Sequence, residues 1–140
     1  MSDKIIGYTT GVFDLFHIGH LNILKRAKEQ CDVLIVGVTT DEVTMEMKGK
    51  KPIIPFEERF EIVNSIKYVN SVVAKSTVDN IESWEELRFD VYFKGDDWKG
   101  TDKGRMLEKD FGIFGVEIKY FPYTKGTSST KLRKVLMKTI

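Results

Sequence analysis

The run "VLIVGV", residues 33–38, decides the fold class. Six consecutive apolar or glycine positions leave no polar face to turn toward water. The strand they form is therefore covered on both sides, as strands of a parallel sheet are. Upstream, residues 20–31 carry Leu24, Ala27 and Cys31 at spacings of three and four, with Lys25, Arg26, Lys28 and Glu29 between them, which predicts an amphipathic helix. Before it, Ile5, Ile6 and Tyr8 predict a first strand that breaks at Thr9, Thr10 and Gly11. Downstream, "TTDEVTMEMKGKKPII", residues 39–54, is polar, carries Gly49 and Pro52, and reads as a long mobile loop. Pro55 then opens a helix at its first position, with Phe56, Phe60, Val63 and Ile66 as the buried stripe. The remaining pattern predicts strands over 68–74, 90–95 and 116–122, and helices over 80–88, 103–110 and 128–138. Strands alternating with helices imply right-handed crossovers. The expectation is a Rossmann-like α/β fold: one domain over residues 1–140, with a five-stranded parallel sheet and helices on both faces.

Ligands of such sheets collect beyond the carboxyl ends of the strands, where the strand order reverses. The segments that follow the first, second, fourth and fifth strands are "TTGVFDLFHIGH", "TTDEVTMEMKGKK", "GDDWKG" and "YTKGTSST". The first holds both histidines of the chain, His17 and His20, with Gly19 between them and Asp14 just before. A helix beginning there has unpaired N–H groups and a partial positive charge, which favours an anion. Two imidazoles at such a start either cap the turn or donate to phosphate oxygens; the helix terminus keeps them neutral. Zinc ligation by the pair is the weaker chemistry, because helical histidine ligands usually sit four apart. Asp14 reads either as a ligand for a divalent ion on nucleotide phosphates or as a turn residue bonding its own backbone.

Lys48, Lys50 and Lys51 form a basic run, either solvated or a clamp for polyphosphate. Asp96 and Asp97 can serve metal, ribose or base, and Trp98 either stacks on a base or plugs the edge of the core. Ser128 or Ser129 caps the last helix, and the surplus hydroxyls Thr127 and Thr130 suit a second phosphate site. No G-x-G-x-x-G, P-loop or G-x-S-x-G motif occurs.

Composition narrows the classes. Lysine plus arginine number 22 against 21 acidic residues, a net charge near +1 that argues against a general nucleic-acid binder. Cys31 is the only cysteine, so neither an internal disulfide nor a cysteine metal cage is available. The opening "MSDKIIGYTTG" is too polar for a signal peptide or a membrane span, and the expected location is cytoplasmic.

"GVFDLFHIGH" resembles the G-x-F-D-x-x-H-x-G-H signature of the cytidylyltransferase family. "FEER", "YVNSVV", "GDDWKG" and "YTKGTSSTKL" follow in that family's order, and the likeness, strongest to its bacterial glycerol-3-phosphate branch, spans about residues 5–136. The resemblance implies transfer of CMP from CTP to a phosphorylated alcohol, with Mg2+ and as a homodimer, and with neither nucleic acid nor membrane insertion involved. It implies catalytic roles for His17, His20, Lys48 and Asp14, with Asp14 also at the metal. It implies nucleotide contacts from Thr10, Gly11, Phe13 and Gly19 in the first segment and from Lys50 and Arg59 in the middle. Gly95, Asp97, Thr124, Gly126, Ser128 and Ser129 complete that set, while Asp97, Trp98 and Lys67 would face the acceptor. The chain departs from the family pattern at Tyr123 and Lys67, where arginines are usual, and at Asn70, Thr127 and Ser129; Lys125 would restore one charge. Two other readings use the same features: an ATP-dependent adenylyltransferase, and a nucleotide-binding protein without turnover.

Overall fold

The computed structural model describes residues 4–122 and 128–139. Strands β1 (Ile6–Gly11), β2 (Val33–Thr39), β3 (Ser71–Lys75), β4 (Val91–Gly95) and β5 (Glu117–Phe121) form one sheet in the order β3-β2-β1-β4-β5, every pair parallel. The flanking helices are α1 (Ile18–Glu29), α2 (Asp41–Lys48), α3 (Phe56–Asn64), α4 (Asn80–Leu87), α5 (Asp102–Gly112) and α6 (Ser129–Thr139). The expected Rossmann-like α/β architecture is the one found.

β2 is covered on both faces for the reason its sequence gives. Leu34, Val36 and Val38 enter one core with Leu24 and Ala27 of α1 and Val63 of α3. Ile35 packs toward a second core, built from Tyr8, Tyr92 and the α5 residues Leu107 and Phe111. Each buried leucine-sized side chain contributes about 1.5–3 kcal/mol. The chain order reverses between β1 and β4, so a crevice opens there at the carboxyl rim.

Three local expectations need correction. β1 does not break at Thr9 but runs to Gly11, because Thr9 Oγ1 donates to Phe93 O at 2.9 Å and Thr10 Oγ1 shares a 2.6 Å hydrogen bond with Tyr92 OH. The 39–54 segment is not a continuous loop. Thr40 Oγ1 accepts the Val43 N–H at 3.2 Å and starts α2, and Asp41 and Glu42 suit its first turn. Gly49, at φ 73°, ends that helix in the left-handed conformation that glycine adopts without steric cost. Residues 68–70 precede β3 rather than belong to it. None of the described helices is long and apolar enough to cross a membrane.

Candidate active site

The β1–α1 turn is held by its own backbone chemistry. Phe13 and Leu15 both have positive φ, 56° and 51°, in a region that costs a non-glycine residue on the order of 1–2 kcal/mol each. Asp14 lies between them, 2% exposed. Its Oδ1 accepts the Ile54 N–H at 2.9 Å, and its Oδ2 accepts the Ile53 N–H at 2.8 Å and Arg133 Nη2 at 2.5 Å. Burial alone would raise its pKa; the two N–H groups and the Arg133 guanidinium outweigh that and hold the carboxyl below its usual range. Both oxygens are committed to backbone and arginine, and Asp14 ties the turn to the 53–54 segment and to α6.

His17 is the N-cap of α1, and its Nδ1 accepts the Gly19 N–H at 3.0 Å. His20 Nδ1 accepts the His17 N–H at 3.1 Å. The rings lie 4.0 Å apart, centre to centre, and Phe13 and Phe16 pack against His20 at 5.4 and 5.2 Å. Of the two sequence readings, capping is the one the structure shows. An imidazole whose Nδ1 accepts a hydrogen bond carries its proton on Nε2 when neutral. Capping the helix thus fixes both rings as Nε2–H donors, and both rings line the cleft. Burial pulls the His17 pKa down. Burial, then the neighbouring His17 and Lys48, take His20 to about 3 against the pull of Asp14, so both rings are neutral near pH 7.

The crevice has two lobes. The first is lined by Thr10, Gly11, His17, Gly19, Lys94, Gly95, Asp97 and Ser128 among others. The second is lined by Asp14, Thr44, Lys50 and Arg133. Phe13, His20, Lys48 and Ser129 belong to both, so His20 and Lys48 stand at the junction. At the mouth, desolvation, then Arg133 and Lys50, pull the Lys48 ammonium below the usual lysine range. α6 starts beside the same crevice: Ser128 Oγ accepts the Lys131 N–H at 3.0 Å, and Ser129 Oγ donates to Asp14 O at 2.7 Å. Two helix N-termini, α1 and α6, thus meet lysine and arginine around one space, an arrangement suited to a polyanion.

Two expected contacts do not occur. Arg59 is fully buried, and its guanidinium donates to Ile54 O, Val12 O, Thr39 O and Asp41 Oδ1 at 2.5–2.8 Å. Buried beneath the rim, it does not line the crevice and instead joins the ends of β1 and β2 to α2. Lys67 is exposed and stands before β3, at the amino rim, where Asn70 accepts from the Leu34 N–H. That is the opposite edge of the sheet from the crevice, so Lys67 does not face an acceptor in its own chain. Trp98 packs against the α4–α5 core beside the rim. Gly104 of α5 makes that possible, since a Cβ there would stand 2.0 Å from Trp98 O. Thr124 and Gly126, with Tyr123, Lys125 and Thr127, lie outside the described residues.

Sequence reasoning missed Lys94 and Arg133. Arg133 was legible as the residue four beyond Ser129 on one helix face. Lys94 was legible as a cation ending the buried strand "VYFKG". The described residues contain no cluster of three histidine, cysteine or acidic side chains suited to a metal.

The cytidylyltransferase-like family model matches residues 8–135. A glycerol-3-phosphate cytidylyltransferase of Bacillus subtilis is 36% identical over 138 residues, covering 94% of this chain and 95% of the relative. An FAD synthase of Pyrococcus abyssi is 38% identical over 128 residues, covering 90% and 86%. Among solved structures, a lipopolysaccharide core biosynthesis protein from Thermoplasma volcanium superposes with a TM-score of 0.72 at 28% identity, covering 89% of this chain and 99% of that one.

Proposed function

The chain belongs to the cytidylyltransferase-like family, and on that footing we propose that it transfers CMP from CTP to a phosphorylated alcohol, glycerol 3-phosphate foremost. An oxygen of the acceptor phosphate bonds to the α-phosphorus as the bond to the bridging β-phosphate oxygen breaks, and pyrophosphate leaves with that electron pair. The observation that carries this reading is the histidine pair: two Nε2–H donors, fixed by their own helix cap, His20 at the junction of two cationic lobes and His17 beside it in the first. In the proposal the α-phosphate sits at that junction, and the departing pyrophosphate lies toward Lys50 and Arg133. Positioning and charge stabilisation are then the whole of catalysis. Mg2+ enters as the counter-ion of the nucleotide substrate, Mg·CTP, rather than on protein carboxylates. A homodimer and a cytoplasmic location are part of the same proposal.

The FAD synthase relative gives an adenylyltransferase reading a specific footing. Pyrophosphate release decides between them. With Mg2+, each of the four nucleoside triphosphates and a panel of phosphoalcohols, the expected result is release with CTP and glycerol 3-phosphate. Release with ATP alone would replace the proposal by the adenylyl reading.

A further inference from the structure

Lys94 lines the first lobe but has no role in the CMP transfer as proposed. It is the penultimate residue of β4 and shares a sheet face with Tyr92, whose ring packs 5.1 Å from Phe111 of α5. At the rim this places its ammonium over the Trp98 ring, 3.9 Å from the ring centre, inside the first lobe. Its ammonium donates no hydrogen bond to the described residues. Lys103 of α5 approaches the same indole at 5.7 Å. Lys75, the last residue of β3, and Lys48 act on Lys94 as like charges, and Asp97 is the opposing one. Burial, ahead of all of these, brings the Lys94 pKa down to about 8, so the side chain gains when a dianion arrives. Lysine charges around Lys94 outnumber the Asp97 carboxylate, so the field on this side of the crevice is cationic.

The aromatic face is also the group that would otherwise hold a quaternary ammonium. Here the protein's own ammonium already occupies it. We infer that Lys94, seated on Trp98, selects the acceptor: it receives a phosphate monoester whose organic part is neutral or anionic, a polyol or sugar phosphate, and turns away amino-alcohol phosphates. This rests on the CMP-transfer reading and deepens it. With pyrophosphate leaving toward Lys50 and Arg133, an in-line nucleophile arrives from the other lobe, which is where Lys94 stands.

The test compares the wild-type enzyme with Lys94→Met, which keeps length and apolar bulk, and with Lys94→Arg. In the wild type, kcat/KM for glycerol 3-phosphate exceeds that for phosphocholine and phosphoethanolamine by at least about 100-fold. Lys94→Met raises the KM for glycerol 3-phosphate at least about 10-fold, leaves the KM for CTP within about twofold, and narrows the gap to phosphocholine about 10-fold. Lys94→Arg keeps the preference. Comparable wild-type rates on phosphocholine, or a CTP effect in place of an acceptor effect, would overturn the inference. A second measurement needs no turnover and no variant. Modification of Lys94 by an amine-reactive reagent, read by peptide mass, is slowed by glycerol 3-phosphate and not by phosphocholine, with or without CTP. Such protection without pyrophosphate release would reject CMP transfer and keep the acceptor assignment. Absence of protection by any phosphate monoester would reject the assignment itself.

Discussion

His17→Ala and His20→Ala each lower kcat by at least about 100-fold, the loss expected when a donor to transition-state charge is removed. The geometry makes the expectation separable from simple destabilisation. Each ring uses Nδ1 to hold the start of α1, so either alanine also costs about 1 kcal/mol of capping. His17→Asn restores a side-chain acceptor at the N-cap and carries no Nε2–H donor there. It should recover the melting temperature and not the rate. Near-normal turnover in His17→Asn would remove that ring from catalysis.

The same rings set a pH dependence. A histidine whose folded pKa is depressed is protonated first in the unfolded chain. The stability tied to His20 is therefore whole above about 6.5, the unfolded value, and is lost progressively as pH falls toward about 3. Turnover follows the same sign: an acid limb set by these rings falls below 6.5, because burial lowers the pKa of both. A rate halved at pH 6.5 by protonation of either ring would contradict this.

Arg59→Met is expected to cost about 3–5 kcal/mol, because it leaves three main-chain carbonyls and the partly exposed Asp41 without the buried guanidinium they share. Asp41 loses its counter-charge, and the carbonyls of Val12, Thr39 and Ile54 lose a donor together. For a domain of this size that lowers the melting temperature by about 10 °C or more. Arg59→Lys recovers little, since one ammonium cannot span four acceptors contributed by three separate segments. A melting temperature within about 2 °C of wild type in Arg59→Met would show that the guanidinium does not organise the rim.

Arg59 and Lys67 mark where sequence reading stops. Both sit in segments whose order matches the family, and their charge invites a role at the ligand. Whether a guanidinium faces a ligand or three carbonyls depends on where α2 and the 54 segment lie, which is long-range information. By contrast β2 and the switch point were legible, because an uninterrupted apolar run admits few environments and alternation fixes which rim carries the loops. α2 was hidden for a local reason. It buries only Val43 and Thr44, so its apolar periodicity is faint, and its signal lay in Thr40 and the acids after it. The histidine turn was legible as a pair and not as a device. Periodicity says that His17 precedes a helix; only the coordinates show that capping chooses the tautomer. The partners of Asp14 were not legible, because Ile53, Ile54 and Arg133 lie 39 to 119 residues away in the chain.

The account stands on the position of one phosphorus atom relative to two rings, and a crystal structure of the protein with CTP bound measures it. The expected result is an α-phosphate oxygen within about 3.2 Å of Nε2 of both His17 and His20, with the outer phosphates toward Lys50 and Arg133. An α-phosphate seated beyond reach of both imidazoles would contradict the account.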